Sequence, residues 1–389
     1  MSVPVKARVS TGLPTAPRGV AVLGSTGSIG RSTLAVLGRH REHFRLVALT
    51  AGRNLEEFDA QVAEWRPAYA GLAANLDGTR YPTGPDVLLE AATHPDVDVV
   101  VNAVVGAAGL DATVAALRAG KRVALANKET LVMAGDLVAQ AACAGGGELV
   151  PVDSEHSAVL QCLSGRDAGL ARLILTCSGG PFREWDTERV RNATVEEALR
   201  HPTWRMGSKI TVDSATLANK ALELIEAHHL FGLSYDALEV VVHPQSIIHA
   251  FVEFCDGSVI AQLGFPSMEL PILYALTHPL RLPDAGVRRF DPVVAGPLTF
   301  EPVRTDVFRA LGAGIAAGRA GGISPAVFNA ANETAVAAFL GGLLPFGRIS
   351  EIIERVLDDH TPAAAAALPA VREADRWARE RAGEYVRRS

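Results

Sequence analysis

The chain has 389 residues, of which 48% are hydrophobic and 21% charged, a balance typical of a globular protein with a buried core. A formal net charge of −6 argues against a nucleic acid or an anionic membrane as partner. Four cysteines without CxxC spacing predict reduced thiols in a cytoplasmic protein, and neither a signal peptide nor a transmembrane segment is expected.

Residues 18–150 alternate short apolar strands with helices, which predicts a doubly wound parallel sheet. A strand at 20–23 runs into the glycine turn GSTGSIG and a helix. Further strands are predicted within FRLVALTAGRN, DVDVVVNAVVGAAGL, KRVALANKE and GGELVPVDSE. We therefore predict an α/β fold with an N-terminal Rossmann-like domain at 18–150, preceded by a flexible tail at 1–17.

After residue 150 the pattern changes to strands mixed with one long helix, SATLANKALELIEAHHLFG. This mixture predicts a central α+β domain at 151–285 with a sheet of its own. Residues 286–305 are rich in Pro, Gly and charge, so they are expected to form a linker. Residues 306–389 have helical periodicity and predict a C-terminal helical domain.

The glycine turn is the first candidate binding site. Gly24, Gly27 and Gly30 follow a strand and open a helix, an arrangement that lets a backbone approach a pyrophosphate at a helix N-terminus. The next strand ends in Arg53 and Asn54, with no acid to hold a ribose 2′-hydroxyl. Because a guanidinium suits a 2′-phosphate, the sequence predicts NADPH over NADH.

Two acids, Asp153 and Glu155, follow the apolar run GELVPV. In an extended chain, residues two apart point to the same side, so these carboxylates are expected to repel each other unless a divalent cation lies between them. Taken alone, the pair is also typical of a solvated strand end.

The long helix strengthens the case for a metal site. Its spacing puts one set of polar residues on one face: Thr216, Asn219, Lys220, Glu223 and Glu226. This face can grip a phosphorylated substrate and add a third carboxylate, although an ordinary exposed helix has the same pattern. The segment HPTWRMGSK is expected to be a mobile lid, and the Ser-Gly-Gly turn of TCSGGPF offers backbone N–H groups.

Together these strings resemble the 1-deoxy-D-xylulose 5-phosphate reductoisomerase family of the non-mevalonate isoprenoid pathway. The matching strings run in order through most of the chain: GSTGSIG, ALANKE, PVDSEHSA, SGGPF, HPTWxMGxKI, VDSAT, NKALE, HPQSIIH, DGSVIAQLG and NAANE. The family fold, an NADPH domain, a catalytic domain, a linker and a helical domain, agrees with the division above.

The resemblance implies a role for each matching position. The expected metal ligands, for Mg or Mn, are Asp153, Glu155 and Glu223, which with Lys128 form the expected catalytic set. The expected substrate contacts are Lys128, Ser154, Glu155, Ser178, His201, Ser214, Asn219, Lys220 and Glu223. The lid residues are His201, Trp204 and Met206. The cofactor contacts are Thr26, Gly27, Ser28, Ile29, Gly52, Arg53, Asn54, Asn127, Glu129 and Gly207.

The resemblance implies a metal-dependent rearrangement of 1-deoxy-D-xylulose 5-phosphate and its NADPH reduction to 2-C-methyl-D-erythritol 4-phosphate, in a homodimer. One alternative is an NADPH dehydrogenase of another small phosphorylated or amino-acid carbonyl, without rearrangement, which would need no three carboxylates. Another is a non-catalytic NADP-sensing protein, which would need the glycine turn but not the DSE triplet.

Overall fold

The computed structural model describes residues 16–165, 169–204 and 206–388. All but the last two positions of the tail predicted at 1–17 lie outside the described residues. The chain forms two compact units, each assembled from separate stretches of sequence. The first unit comprises residues up to 130, 138–160 and 267–289, and the second comprises 131–137, 161–266 and the residues from 290 onward.

The helices and strands have the following bounds. The strands are β1 (Arg18–Leu23), β2 (Phe44–Ala51), β3 (Tyr69–Leu72), β4 (Val99–Asn102), β5 (Arg122–Leu125), β6 (Glu148–Pro151), β7 (Leu170–Cys177), β8 (Leu238–Val242), β9 (Ile248–Phe254) and β10 (Val259–Leu263). The first helices are α1 (Ser28–Arg39), α2 (Leu55–Trp65), α3 (Asp86–Thr93), α4 (Leu110–Arg118), α5 (Lys128–Gly145), α6 (Ser154–Leu163), α7 (Thr187–Arg191) and α8 (Val195–Ala198). The remaining helices are α9 (Ser208–Thr216), α10 (Ala218–Phe231), α11 (Glu269–Thr277), α12 (Pro292–Ala295), α13 (Arg309–Ala320), α14 (Ser324–Leu340), α15 (Arg348–Asp358) and α16 (Leu368–Arg387).

The first unit is built on a parallel sheet in the order β3-β2-β1-β4-β5-β6. This is the doubly wound order of dinucleotide-binding folds, so the predicted Rossmann-like domain is confirmed. Strands β1, β2 and β4 are almost wholly buried, since helices cover both faces of such a sheet. The sequence prediction missed β3, a short strand with a central glycine.

Residues 267–289 return to this first unit. Ile272 and Tyr274 of α11 join its hydrophobic core. Arg122 of β5 donates to the carbonyl of Leu276 at 3.1 Å and to that of His278 at 2.7 Å. The four-domain division of the sequence, with boundaries at 150, 285 and 305, stays a prediction.

The second unit has a mixed sheet in the order β10-β9-β7-β8 and a group of helices from α13 to α16. Helix α14 packs against α13, α15 and α16, and its Phe328 and Val336 are fully buried. The predicted second sheet and C-terminal helical region are confirmed. Among the described residues, no helix combines the length and the apolar character needed to cross a membrane.

The long helix predicted from residue 214 onward is two helices. Leu217 takes a left-handed conformation, with φ of 59°, and separates α9 from α10. Both faces of α10 are buried, including the face that carries Lys220, Glu223 and Glu226. The alternative interpretation, an ordinary exposed helix, is therefore wrong, because this helix runs through the interior of its unit.

Candidate functional site

The glycine turn packs tightly against its own backbone. Gly24 has φ of +85°, and a side chain on Gly30 would place its Cβ 2.3 Å from the Gly24 carbonyl oxygen. Helix α1 begins at Ser28 with no acidic residue in its first turn, and both Gly27 and Ser28 are exposed. Thr26 and Ile29 beside them are half-buried. The first turn of α1 that follows can offer its N–H groups to an anion, as a helix N-terminus does.

The loop after β2 forms the neighbouring part of this surface. Gly52, Arg53 and Asn54 are all exposed, and Asn54 is the N-cap of α2. The Asn54 amide donates to the carboxylate of Glu57 at 2.8 Å and accepts from the Glu57 backbone N–H at 3.4 Å. The Asn54 side chain is therefore already engaged within the protein.

Asn127 connects two loops at the carboxyl edge of the sheet. It is 2% exposed and donates to the carbonyls of Val104 and Gly106, each at 2.9 Å. It also donates to the Glu129 carboxylate at 2.8 Å. These bonds fix the turn after β4 against the start of α5, where the next residue, Lys128, lies in the first turn.

A compact charged cluster surrounds Asp153 in the first unit. The ammonium of Lys128 pairs with Asp153, and both side chains are largely buried. Asp153 also accepts from the Glu155 backbone N–H at 3.3 Å, and carboxylate oxygens of Asp153 and Glu155 lie within 4.8 Å of each other. The hydroxyl of Ser154 donates to Glu155.

The backbone around these acids differs from the prediction. Strand β6 ends at Pro151 and α6 begins at Ser154, so Asp153 and Glu155 do not lie on one side of an extended strand. The Ser157 N–H donates to the Asp153 carbonyl, which places Asp153 at the start of the helix. The carboxylates converge because they lie at a helix N-terminus, which also favours their negative charge.

His156 is a residue of this cluster to which the sequence analysis gave no role. Its imidazole is fully buried, and its Nδ1 lies 3.3 Å from the Asp153 carboxylate. The spacing of the histidine three residues after an acid at a helix start was the signal available in the sequence.

Two predicted substrate residues of the second unit converge on the imidazole of a third. His201 Nε2 lies 3.0 Å from the Ser178 hydroxyl and 3.1 Å from the Ser214 hydroxyl. The Ser178 hydroxyl also accepts from the Gly180 N–H at 3.2 Å. Burial lowers the pKa of His201 to about 4, so the ring is neutral at physiological pH.

The other nitrogen of His201 contacts the predicted lid. Its Nδ1 accepts from the Trp204 N–H at 2.9 Å and lies 3.2 Å from the Thr203 N–H. An acceptor Nδ1 leaves the proton of the neutral ring on Nε2, facing Ser178 and Ser214. Met206 is half-buried, and the exposed Gly207 is the N-cap of α9.

Helix α10 holds the remaining predicted residues of the second unit. Asn219 donates its amide to Glu223, and Lys220 pairs with the same carboxylate. Lys220 also donates to the Thr176 carbonyl, and its side chain is 3% exposed. Two donors from its own helix therefore hold the Glu223 carboxylate in place.

A second feature that the sequence did not indicate lies beside Ser214. Asp213 is 1% exposed and accepts from the Asn332 amide of α14 at 2.8 Å. The Lys209 ammonium lies 2.8 Å from the other oxygen of Asp213. The residue before Ser214 is thus fixed from two sides.

Comparisons with known proteins find similarity to one enzyme family along nearly the whole chain. Three family descriptions match: 1-deoxy-D-xylulose 5-phosphate reductoisomerase at residues 20–135, the C-terminal domain of that enzyme at 149–231, and the DXP reductoisomerase C-terminal domain at 263–381. The reductoisomerases of Heliobacterium modesticaldum and Symbiobacterium thermophilum are each 50% identical. Each alignment covers 94% of this chain, and covers 97% and 98% of those two proteins, respectively.

Solved structures give the same result. A DOX-P reductoisomerase in complex with NADPH, fosmidomycin and magnesium is similar with a TM-score of 0.89 at 39% identity, over 95% of this chain and 98% of that one. The Zymomonas mobilis enzyme in complex with NADPH has a TM-score of 0.87 at 42% identity, over 95% and 99%.

Proposed function

The chain belongs to the 1-deoxy-D-xylulose 5-phosphate reductoisomerase family, and we propose that its own clustered side chains carry that family's reaction. The enzyme rearranges 1-deoxy-D-xylulose 5-phosphate and reduces the product with NADPH to 2-C-methyl-D-erythritol 4-phosphate, in a metal-dependent reaction. The observation that supports the assignment of residues best is the cluster of Lys128, Asp153 and Glu155 at the carboxyl edge of the parallel sheet.

The divalent cation, Mg or Mn, is held in this proposal by Asp153, Glu155 and Glu223. Oxygen ligands of this kind are what hard cations prefer, and the approach of two carboxylates within 4.8 Å supports the assignment of the first two. Glu223 is a buried carboxylate on α10, matched by family resemblance. When bound, the cation polarises the adjacent carbonyl and hydroxyl oxygens of the substrate, and NADPH supplies the reducing equivalent.

The phosphate end of the substrate is bound in the second unit. Ser178, Ser214 and the Nε2–H of His201 face one another and offer three donors. Asn219 and Lys220 on α10 are assigned to the same end by the family pattern. A neutral His201 is suited to this role, because a phosphate needs a donor and the buried ring supplies one without a charge.

The other nitrogen of His201 links the proposed phosphate site to the lid. The Trp204 N–H donates to Nδ1, so a phosphate that orients the ring also orients the backbone of the lid. Trp204 and Met206 would then cover the substrate and exclude water during rearrangement. Phosphate binding energy is thereby used to order the reacting groups.

Lys128 and Ser154 act at the reacting end of the substrate. The Lys128 ammonium next to Asp153 can donate to a substrate oxygen on which negative charge develops as the carbon skeleton rearranges, by retro-aldol cleavage and re-addition in the route we favour. Ser154 is 8% exposed and bonded to Glu155, so its hydroxyl orients that carboxylate.

NADPH is bound along the carboxyl edge of the sheet. Its pyrophosphate lies on the turn formed by Thr26, Gly27, Ser28 and Ile29. Its 2′-phosphate lies by Gly52, Arg53 and Asn54, with Arg53 as the cation, since the Asn54 amide is occupied by Glu57. Asn127, Glu129 and Gly207 are assigned to the cofactor by resemblance.

A homodimer and a cytoplasmic location belong to the same proposal. Strand β10 is an edge of the second sheet, and its Val259 is 51% exposed, which offers an unpaired strand and an apolar side chain to a second copy. The cysteines Cys143, Cys162, Cys177 and Cys255 are free thiols, as expected in a reducing compartment.

The test is to follow NADPH absorbance with 1-deoxy-D-xylulose 5-phosphate as substrate, with Mg²⁺ or Mn²⁺ and then with EDTA. The expected result is substrate-dependent oxidation of NADPH that EDTA abolishes and added cation restores. Oxidation that persists in EDTA would favour a dehydrogenase without rearrangement. No oxidation under any condition would refute the proposal.

A further inference from the structure

An ion pair joins the two loops proposed to bind NADPH. Arg31 of α1 donates to Glu57 of α2 through both arms of its guanidinium, with Nε at 2.5 Å from Oε1 and NH2 at 2.7 Å from Oε2. None of the family strings includes either residue. The inference drawn from this pair rests on the NADPH use proposed above.

The pair lies between the pyrophosphate turn and the 2′-phosphate loop. Arg31 directly follows Gly30, and its backbone N–H donates to the Gly27 carbonyl at 2.9 Å. Glu57 is in the first turn of α2 and accepts at 2.8 Å from Asn54, the last residue of the 2′-phosphate loop. The pair therefore connects the two loops.

A third contact strengthens this connection. The amide of Gln61, on the next turn of α2, lies 3.5 Å from Glu57 and donates at 3.2 Å to the carbonyl of Ser25 in the glycine turn. Glu57 thus has donors from Arg31, Asn54 and Gln61. Its position is determined by side chains from both halves of the cofactor surface.

The charge of Glu57 matters because of where it lies. An acid near the end of the second strand is the feature by which NAD-binding folds hold a ribose 2′-hydroxyl, and it repels a 2′-phosphate. The first turn of α2 carries two acids, Glu56 and Glu57. Arg31 and Arg53 balance these two charges, so loss of Arg31 would leave the region with a net charge of about −1.

We propose that Arg31 is a specificity-determining residue for NADPH, because its two hydrogen bonds neutralise Glu57 beside the 2′-phosphate. Without Arg31, the Glu57 carboxylate repels the 2′-phosphate, and the acceptor positions that Arg31 occupied are open to the ribose 2′-hydroxyl of NADH. The bonds from Arg31 also lower the pKa of Glu57, so the carboxylate stays charged and depends on Arg31 for its neutralisation.

A purely structural role for the pair predicts something different. The Arg31 side chain is 57% exposed and that of Glu57 27% exposed, and exposed ion pairs contribute little to folding stability. If the pair only held α1 against α2, its loss would weaken the binding of NADPH and of NADH equally. Discrimination between NADPH and NADH is therefore the property to measure.

The experiment is equilibrium binding of NADPH and of NADH, by calorimetry, to the whole protein and to its variants. Arg31→Ala should weaken NADPH binding about tenfold while NADH binding stays within about twofold or tightens. Glu57→Gln should leave NADPH binding unchanged or tighter. The double variant should recover most of the NADPH affinity lost in Arg31→Ala, because the uncompensated carboxylate is gone.

Arg41→Ala is the matched control. Arg41 lies 3.6 Å from Glu64, and this second exposed pair joins the turn that follows α1 to the C-terminal end of α2. It should change neither affinity. The inference would be overturned if Arg31→Ala lost affinity for NADPH and NADH equally, or lost affinity for neither. It would also be overturned if the double variant bound NADPH no more tightly than Arg31→Ala. Wild-type protein that does not prefer NADPH would overturn the proposed cofactor use itself.

Discussion

Replacing Asn332 by alanine should weaken substrate binding, although its hydrogen bond goes to Asp213, which is not a proposed substrate residue. Asn332 lies on α14 and donates to Asp213, which is 1% exposed. Asp213 directly precedes Ser214, whose hydroxyl lies 3.1 Å from His201. The amide therefore acts on the proposed phosphate site through one carboxylate and one peptide unit.

The magnitude follows from the bond that is lost. A hydrogen bond to a buried carboxylate contributes about 1.5–3 kcal/mol, and the Lys209 ammonium at 2.8 Å remains to hold Asp213. We expect the free energy of unfolding to fall by about 2–3 kcal/mol, which leaves most of the usual stability of a folded protein. A small shift of Ser214 should raise the KM for substrate about tenfold, with a smaller effect on kcat.

Asn329→Ala is the matched control for this change. Asn329 is also a fully buried asparagine of α14, but it donates within the helix, to Glu333 at 3.1 Å. Urea unfolding and steady-state kinetics of both variants separate the two effects. Asn329→Ala should lose stability and keep its KM. If the two variants have the same KM, Asn332 does not position the phosphate site and the reasoning is refuted.

Three further predictions concern the metal, pH and packing. Asp153→Asn and Glu223→Gln should each abolish metal-dependent turnover while the NADPH affinity, measured by calorimetry, stays unchanged. A variant that loses NADPH affinity together with turnover would show that the metal ligands are misassigned. Burial lowers the pKa of His201 and His229 to about 4 from the usual 6.5, so the unfolded chain binds more protons between these values. The unfolding free energy should therefore fall as pH drops from about 6.5 to about 4, and His229→Leu should flatten this slope in urea titrations; an unchanged slope would contradict the prediction. Gly135→Ala would place a Cβ 2.3 Å from the His229 ring, so it should lower the melting temperature. Adding His229→Ala should recover part of that loss. If it recovers nothing, the contact with His229 is not the cause of the lower melting temperature.

The sequence was most informative where structure depends on neighbouring residues. The strand, glycine turn and helix at Gly24–Gly30 were predicted because the turn needs residues without a Cβ and the helix follows at once. Strand β3 was missed because YAGL is short and has no clear alternation. The order of strands in the sheet depends on contacts between distant segments, which local patterns do not contain.

The errors lie where tertiary contacts override local preference. The left-handed Leu217 could not be predicted, because leucine normally avoids that conformation and only packing maintains it. Asp153 and Glu155 were expected on the same side of an extended strand end but belong to a helix start. The contact of Asp213 with Asn332 joins residues 119 positions apart, and nothing near either residue indicates the other.

Two buried ion pairs place charged residues of the proposed site at positions where a sequence pattern predicts apolar ones. Lys128 pairs with Asp153 in the first unit, and Lys220 pairs with Glu223 in the second. Buried pairs of this kind add little net stability, because removing the charges from water offsets their attraction. A fold selected for stability alone would place apolar residues at such positions, and α10 would then read as an ordinary core helix. Each pair instead holds an ammonium and a carboxylate buried and fixed in place, which is what the proposed binding of a phosphorylated ketose and a divalent cation requires.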